Sequence, residues 1–141
     1  MGVGALTHHI ILGFDFGLKR IGVAVGQSIT QSANPIKVLS AKNGVPNWVE
    51  IKKIIAEWGV DTLVVGLPLN MDATEQPITQ RARDFGAQLE AQFHLPVFFV
   101  DERLTTVAAR DEMHTKLKGT ARFDHADSMS AKLIVESYFN S

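Results

Sequence analysis

The 141-residue chain contains no cysteine. Disulfides, thiolate zinc sites, iron–sulfur clusters and cysteine nucleophiles are therefore excluded. It also has no unbroken apolar run approaching the ~18 residues of a transmembrane helix. Excess charge is missing too: 14 Lys and Arg stand against 15 Asp and Glu, a net −1. A protein that gripped nucleic acid by bulk charge would be strongly basic. Any hold on phosphate must then be local, through a small basic patch or a metal. Residues 1–9 lack the basic start and apolar core of a signal peptide. The expectation is a cytoplasmic protein, not attached to a membrane, with a flexible segment at 1–9 and a single domain at 10–141. Nothing resembling a repeat, a low-complexity tract or a Pro/Gly/Ser linker divides that domain. A 45% hydrophobic, 21% charged composition suits one globular core.

The run Ile10-Ile11-Leu12-Gly13-Phe14 reads as a central strand over 10–15, apolar on both faces. Strands at 21–26 and 35–39 follow. Links this short favour antiparallel pairing, because a parallel crossover needs about a dozen residues. The period then changes. Trp48, Ile51, Ile55 and Trp58 form the core stripe of a helix with Pro46 near its start and Gly59 at its end, which assigns both tryptophans to packing. A fourth strand lies at 62–66, and Ile78, Ala82, Phe85, Leu89 and Phe93 trace a second helix. A fifth strand at 96–100 precedes helices at 104–113 and 124–139. The order β-β-β-α-β-α-β-α-α predicts an α/β fold: a mixed five-stranded sheet, three antiparallel strands then two parallel, with helices on both faces.

Asp15 closes the first of these strands, Asp101 and Glu102 follow the fifth, and Asp127 heads the helical stripe Ala131, Ile134, Tyr138. Ligand sites in open α/β sheets lie beyond the carboxyl ends of the strands. Two carboxylates about 4 Å apart repel by roughly 4 kcal/mol at an effective dielectric near 20, and a divalent cation reverses that sign. An all-oxygen ligand set selects Mg²⁺ or Mn²⁺. Two such ions about 3.5–4 Å apart suit phosphodiester hydrolysis. Any one of these acids alone reads as a turn former or helix cap; their joint placement is what suggests a metal. Neighbours in an extended strand face opposite sides, so periodicity leaves Asp101 and Glu102 as alternatives. Asp124, one helical step before Asp127, is either a fourth ligand or an acid serving the helix N-terminus.

Four segments carry a family resemblance: Asp15-Phe16-Gly17-Leu18-Lys19-Arg20-Ile21-Gly22-Val23-Ala24, Val65-Gly66-Leu67-Pro68-Leu69-Asn70-Met71-Asp72, Asp101-Glu102-Arg103-Leu104-Thr105-Thr106, and the helix around Asp127. Together they resemble the YqgF/RuvX family, over nearly the whole length from Ile10 to Phe139. Its members are described as candidate Holliday junction resolvases and as candidate nucleases maturing the 5′ end of pre-16S ribosomal RNA. The resemblance implies an RNase H-like fold and matches Asp15, Glu102 and Asp127 to an acidic catalytic and metal-binding triad, which selects Glu102 over Asp101. It implies a hydrolase acting on phosphodiester bonds during ribosome biogenesis, with ribosomal particles as possible partners. Ala73 departs from the family pattern, which usually has Gly there.

Candidate phosphate contacts are Lys19 and Arg20 in the turn after Asp15, Arg103 after Glu102, and Lys116, Lys118 and Arg122 around Gly119. Each has a plain alternative: a solvated turn, an ion pair, a solvated loop. Thr105 and Thr106 suit a helix cap, and Asn70 and Asp72 a turn at the same sheet end. Two rival functions stand beside the nuclease. The pattern Asp15-x-Gly17-x-x-x-x-Gly22-x-Ala24 is also similar to the first phosphate motif of the actin and sugar-kinase superfamily, a nucleotide-binding reading that lacks a second such motif. The other rival is a non-catalytic nucleic-acid or ribosome-assembly module.

Overall fold

A computed structural model describes residues 8–103 and 123–140, with side chains for 8–103 and 128–140. Its strands are β1 (Ile10–Asp15), β2 (Arg20–Gln27), β3 (Ser32–Lys42), β4 (Val45–Pro46), β5 (Thr62–Leu67) and β6 (Val97–Asp101). Its helices are α1 (Trp48–Trp58), α2 (Pro77–Phe93) and α3 (Phe123–Phe139). The helix expected at 104–113 lies outside the described residues. So do most of the segment at 1–9 and the basic residues Lys116, Lys118 and Arg122.

The strands form one sheet in the order β4-β3-β2-β1-β5-β6. β1 runs antiparallel to β2 and parallel to β5, and β5 runs parallel to β6. All five expected strands are present. The sixth, β4, extends the sheet beyond β3 through a tight turn in which Asn43 and Gly44 take φ of 50° and 82°. Two residues carry no periodicity, which is why the sequence pattern does not reveal them. β3 is longer than its apolar centre because polar residues continue the ladder at both ends. Val23 pairs with Lys37 and Ala24 with Pro35, leaving Ile36 as a bulge next to a proline that cannot donate to the ladder.

Alternation along the strands divides the core in two. Leu12, Phe14, Phe16, Val23, Val65 and Phe85 belong to the layer under α1 and α2. Ile11, Ala24, Val64, Ala131, Ile134 and Val135 belong to the layer under α3. On β1 the even-numbered side chains thus face α1 and α2, and Asp15 is directed to the α3 side. That helix lies close to the sheet because β1 and β2 present Gly13 and Gly26, where any Cβ would run into Val135.

Asn47 caps α1 by accepting from the Val49 N–H at 3.0 Å, and Gly59 ends it with a left-handed φ of 68°. The expected core stripe is corrected here. Ile51 and Ile54 are the buried residues, whereas Trp58 is 43% exposed. Trp58 stands in the last turn above Pro35 and Ile36 of the bulged strand, where the sheet gives it only partial cover. Trp48 is half-buried and stacks on Phe85, with ring centroids 5.9 Å apart and planes 21° from parallel.

Candidate active site

The register places Phe14 beside Val65, and Gly66 and Leu67 beside Val100 and Asp101. Continued by one residue, it sets Asp15, Gly66 and Val100 in a row at the carboxyl ends of three parallel strands. β6 stops at Asp101, and Glu102 and Arg103 already have helical backbone. The strand-to-helix junction separates the two neighbouring acids. Asp101 turns to its own guanidinium partner, while Glu102 is 9% exposed and hydrogen-bonded to Asp15.

Adjacent strands are about 4.8 Å apart, so β1 and β6 are separated by the full width of β5. Glu102 crosses that width over Gly66. A Cβ built on Gly66 would lie 2.8 Å from Glu102 Cγ and 3.0 Å from its carboxyl carbon. The missing side chain is therefore the channel through which the Glu102 carboxyl reaches Asp15. A glycine interrupting the strand Thr62-Leu63-Val64-Val65-Gly66-Leu67 was the only sign of this in the sequence.

Burial pushes the Glu102 carboxyl above its ordinary value, the hydrogen bond with Asp15 opposes the shift, and the charge of Asp101 adds to it. Ionised carboxylates only accept hydrogen bonds. A bond between Asp15 and Glu102 therefore requires a proton on one of them. Two carboxyls drawn together in a dry place and sharing a proton fit a hard divalent cation as an alternative partner. Among the described residues no group of three His, Cys, Asp or Glu comes together. The third expected ligand, Asp127, and its neighbour Asp124 stand in α3, but their side chains lie outside the described residues.

Arg103 is built into the rim. Its Nε and Nη2 grip the Asp101 carboxylate at 2.9 and 2.5 Å, its backbone N–H donates to Asp101 Oδ1 at 2.9 Å, and its Nη1 donates to the Met71 carbonyl at 3.0 Å. Of the two readings left open by the sequence, the ion pair is present, with Asp101 as partner. The same guanidinium ties the start of the new helix to the loop after β5. That loop is cross-bonded within itself: Asp72 Oδ1 accepts from the Thr74 N–H at 3.1 Å and from its hydroxyl at 2.5 Å, and Asn70 Nδ2 donates to Thr74 Oγ1 at 3.0 Å. These bonds hold Ala73 at a φ of 73°, a conformation easier for glycine. They also lower the carboxyl of Asp72. Lys19 is exposed in the turn after Asp15, and Arg20 opens β2 beside it.

The Arg103 bonds hold the Asp101 carboxyl below its usual 3.8. A depressed carboxylate adds stability above its unfolded-state value and loses it as pH falls through the folded one. Arg103→Ala is thus expected to lower the melting temperature slightly near neutral pH, as suits a part-exposed pair. The difference should narrow as the pH falls below 3.8 and through the lowered folded value, leaving only what the Met71 contact contributes. Melts of the two proteins across that range check it.

The strand order, the parallel β1-β5-β6 ends and the helices on both faces define an RNase H-like α/β protein with paired acids at its strand ends. A family model described as "RuvX: Holliday junction resolvase" matches residues 9–141, and the chain belongs to that family. A protein of Haemophilus ducreyi named "Putative pre-16S rRNA nuclease" is 52% identical over 132 residues, covering 93% of this chain and 96% of its own length. One from Shewanella denitrificans with the same name is 53% identical over 133 residues, covering 93% and 94%. Among solved structures, T. thermophilus RuvC in complex with a Holliday junction substrate aligns with a TM-score of 0.59 at 13% identity, covering 94% of each chain. The fowlpox virus Holliday junction resolvase aligns at 0.55 and 14%, covering 93% of this chain and 97% of its own. At such identities the structural likeness is one of fold.

Proposed function

We propose that the protein is a metal-dependent nuclease that trims the 5′ end of a 16S ribosomal RNA precursor in the cytoplasm. The observation that carries this reading is the Asp15–Glu102 pair, assembled over Gly66 at the strand ends. The relatives' printed names supply the substrate class. Asp15 and Glu102 would hold Mg²⁺ or Mn²⁺ in this proposal. Asp127 completes the set by its match to the family motif, with Asp124 as a possible fourth ligand. When bound, such ions activate water and stabilise the leaving oxygen of a phosphodiester. The chain's own part is to keep Glu102 desolvated, fix its reach through Gly66, and hold the rim through Arg103. Lys19, Arg20, Arg103, Lys116, Lys118 and Arg122 are the proposed phosphate contacts. Arg103 would contribute through donors not used by Asp101 and Met71. No helix among the described residues is long and apolar enough to cross a membrane. A four-way DNA junction is the second candidate substrate, favoured by the family model's description.

The test incubates purified protein with 5′-extended small-subunit ribosomal RNA and, in parallel, with a four-way DNA junction, in Mg²⁺ or Mn²⁺ and then with excess chelator. Metal-dependent cleavage of the RNA at its 5′ extension is the expected result. Preferential junction cutting would transfer the proposal to DNA, and failure to cut either substrate would overturn it. Binding of Mn²⁺ alone should raise the melting temperature, by about 2.7 kcal/mol of added stability at a hundred times its Kd. A melt unmoved at millimolar Mn²⁺ would sink the metal assignment.

A further inference from the structure

A second feature stands at the acid-bearing end of the sheet, on the face turned away from α3. An open pocket of about 220 Å³ is lined by Phe16, the Asn43-Gly44-Val45 turn, Trp48 and one face of α2 carrying Arg81, Asp84, Phe85 and Gln88. Its position follows from topology. Phe16 is the residue after Asp15. β3 runs antiparallel to β2, hence in the direction of β1, so the turn after β3 emerges at the same end. The β1–β2 turn joins the two places: the Leu18 carbonyl accepts from the Gly44 N–H and the Lys19 carbonyl from the Ala41 N–H, both at 2.8 Å.

Size and chemistry narrow the occupant. The volume equals about seven waters at ~30 Å³ each, too large for a bare ion and below the ~300 Å³ of a drug-sized site. A ring system fits that range. The floor is aromatic: Phe85 lies against both Phe16 and Trp48, with centroids 5.2 and 5.9 Å apart. The rim bears hydrogen-bonding groups of both kinds. Arg81 Nη2 spends one donor on the Asn43 carbonyl at 2.5 Å, and Asp84 Oδ1 accepts from Gln80 at 2.9 Å. The Gln88 amide makes no hydrogen bond among the described residues. With one arginine and one aspartate the lining carries no net formal charge, which favours a neutral ligand over a phosphate or carboxylate. A flat, neutral ring with donors and acceptors at its edge is a nucleobase, and unstacked bases are the parts of single strands that proteins lodge against aromatic side chains.

We infer that this cavity receives a nucleobase from a single-stranded part of the substrate while the backbone passes the Lys19–Arg20 turn toward the acids. The inference rests on the nuclease reading, and the experiment separates the two. A variant carrying Asp15→Asn, to prevent cutting, and Trp58→Phe leaves Trp48 as the only tryptophan, since the chain has two. A short, end-labelled single-stranded RNA is titrated in, with anisotropy reporting binding and tryptophan emission reporting the cavity. Quenching of Trp48 in step with the anisotropy is expected. An abasic strand of equal length should bind about tenfold more weakly, the loss of one base contact, without quenching. Gln88→Ala, at an exposed helical position, should weaken RNA binding about threefold to tenfold, as for one hydrogen bond. RNA binding with unchanged Trp48 emission, or equal binding of the abasic strand, would overturn the cavity assignment and leave the nuclease reading standing. No RNA binding by anisotropy would bring down both.

Discussion

Glu102→Gln is expected to yield a protein that is more stable without metal and nearly inactive. Burial raises the Glu102 carboxyl above its ordinary 4.5. The folded state therefore holds that proton more tightly than the unfolded chain does. Such a group favours folding at low pH, and its contribution is lost as pH rises from the ordinary value through the raised one. Near neutral pH a charged Glu102 is thus a burden on the metal-free fold. The amide keeps the length and a hydrogen bond to Asp15 while removing the charge. The gain should be about 1–3 kcal/mol, the usual scale for an incompletely compensated buried group, and should vanish in acid, where the wild-type carboxyl keeps its proton. Cleavage should drop by about a thousandfold or more, the rate equivalent of several kcal/mol of lost metal assistance. Asp15→Asn should match it in activity. Glu102→Asp is the sharper companion: it keeps the charge but shortens a side chain that must cross β5, and should be about as impaired as the amide. Melts and cleavage rates on one set of preparations decide the matter. Wild-type cleavage by the glutamine variant would refute the assigned role of Glu102.

What could be read from the sequence was what repeats. Ile10 to Phe14 announces a buried strand, and the 77–93 helix is visible in Ala82, Phe85 and Leu89, all of which are buried. The antiparallel-then-parallel order follows from link lengths. β4 was missed because two residues cannot show a period, and Trp58 was misplaced because a helical stripe does not say where the sheet beneath it ends. At the site, position along the chain was legible and partnership was not. Asp101 and Glu102 part company because the strand ends between them, a boundary that propensity locates only loosely. Arg103 reaches a carbonyl at Met71, a contact across 32 residues that no local pattern encodes. Gly66 carries no local signal of its role, which appears only once Glu102 is seen lying across it.

That glycine supplies the other large effect. In Gly66→Ala the new methyl would stand 2.5 Å from Ile134 Cδ1 and 2.8 Å from Glu102 Cγ, so something must move. Ile134, on the sheet-facing side of α3, is fully buried and has little room, which makes the displaced group the Glu102 side chain. Overpacking of this kind costs about 1–3 kcal/mol, a drop of about 3 °C per kcal/mol in a chain of this size. Activity should suffer more than stability, because the carboxyl is expelled from its path to Asp15. Gly86→Ala on α2 makes the matched control. Its methyl would meet the Phe99 ring at 2.5 Å, a comparable collision with an apolar partner on the opposite face, eased by alanine's better helix propensity of about 1 kcal/mol. Assayed well below both melting temperatures, the Gly86 variant should cleave at close to the wild-type rate while the Gly66 variant falls by about a hundredfold, the cost of an Ångström-scale misplacement of a reacting group. Equal activities in the two would mean that Glu102 does not need the channel over Gly66 and that its approach to Asp15 is incidental to the chemistry.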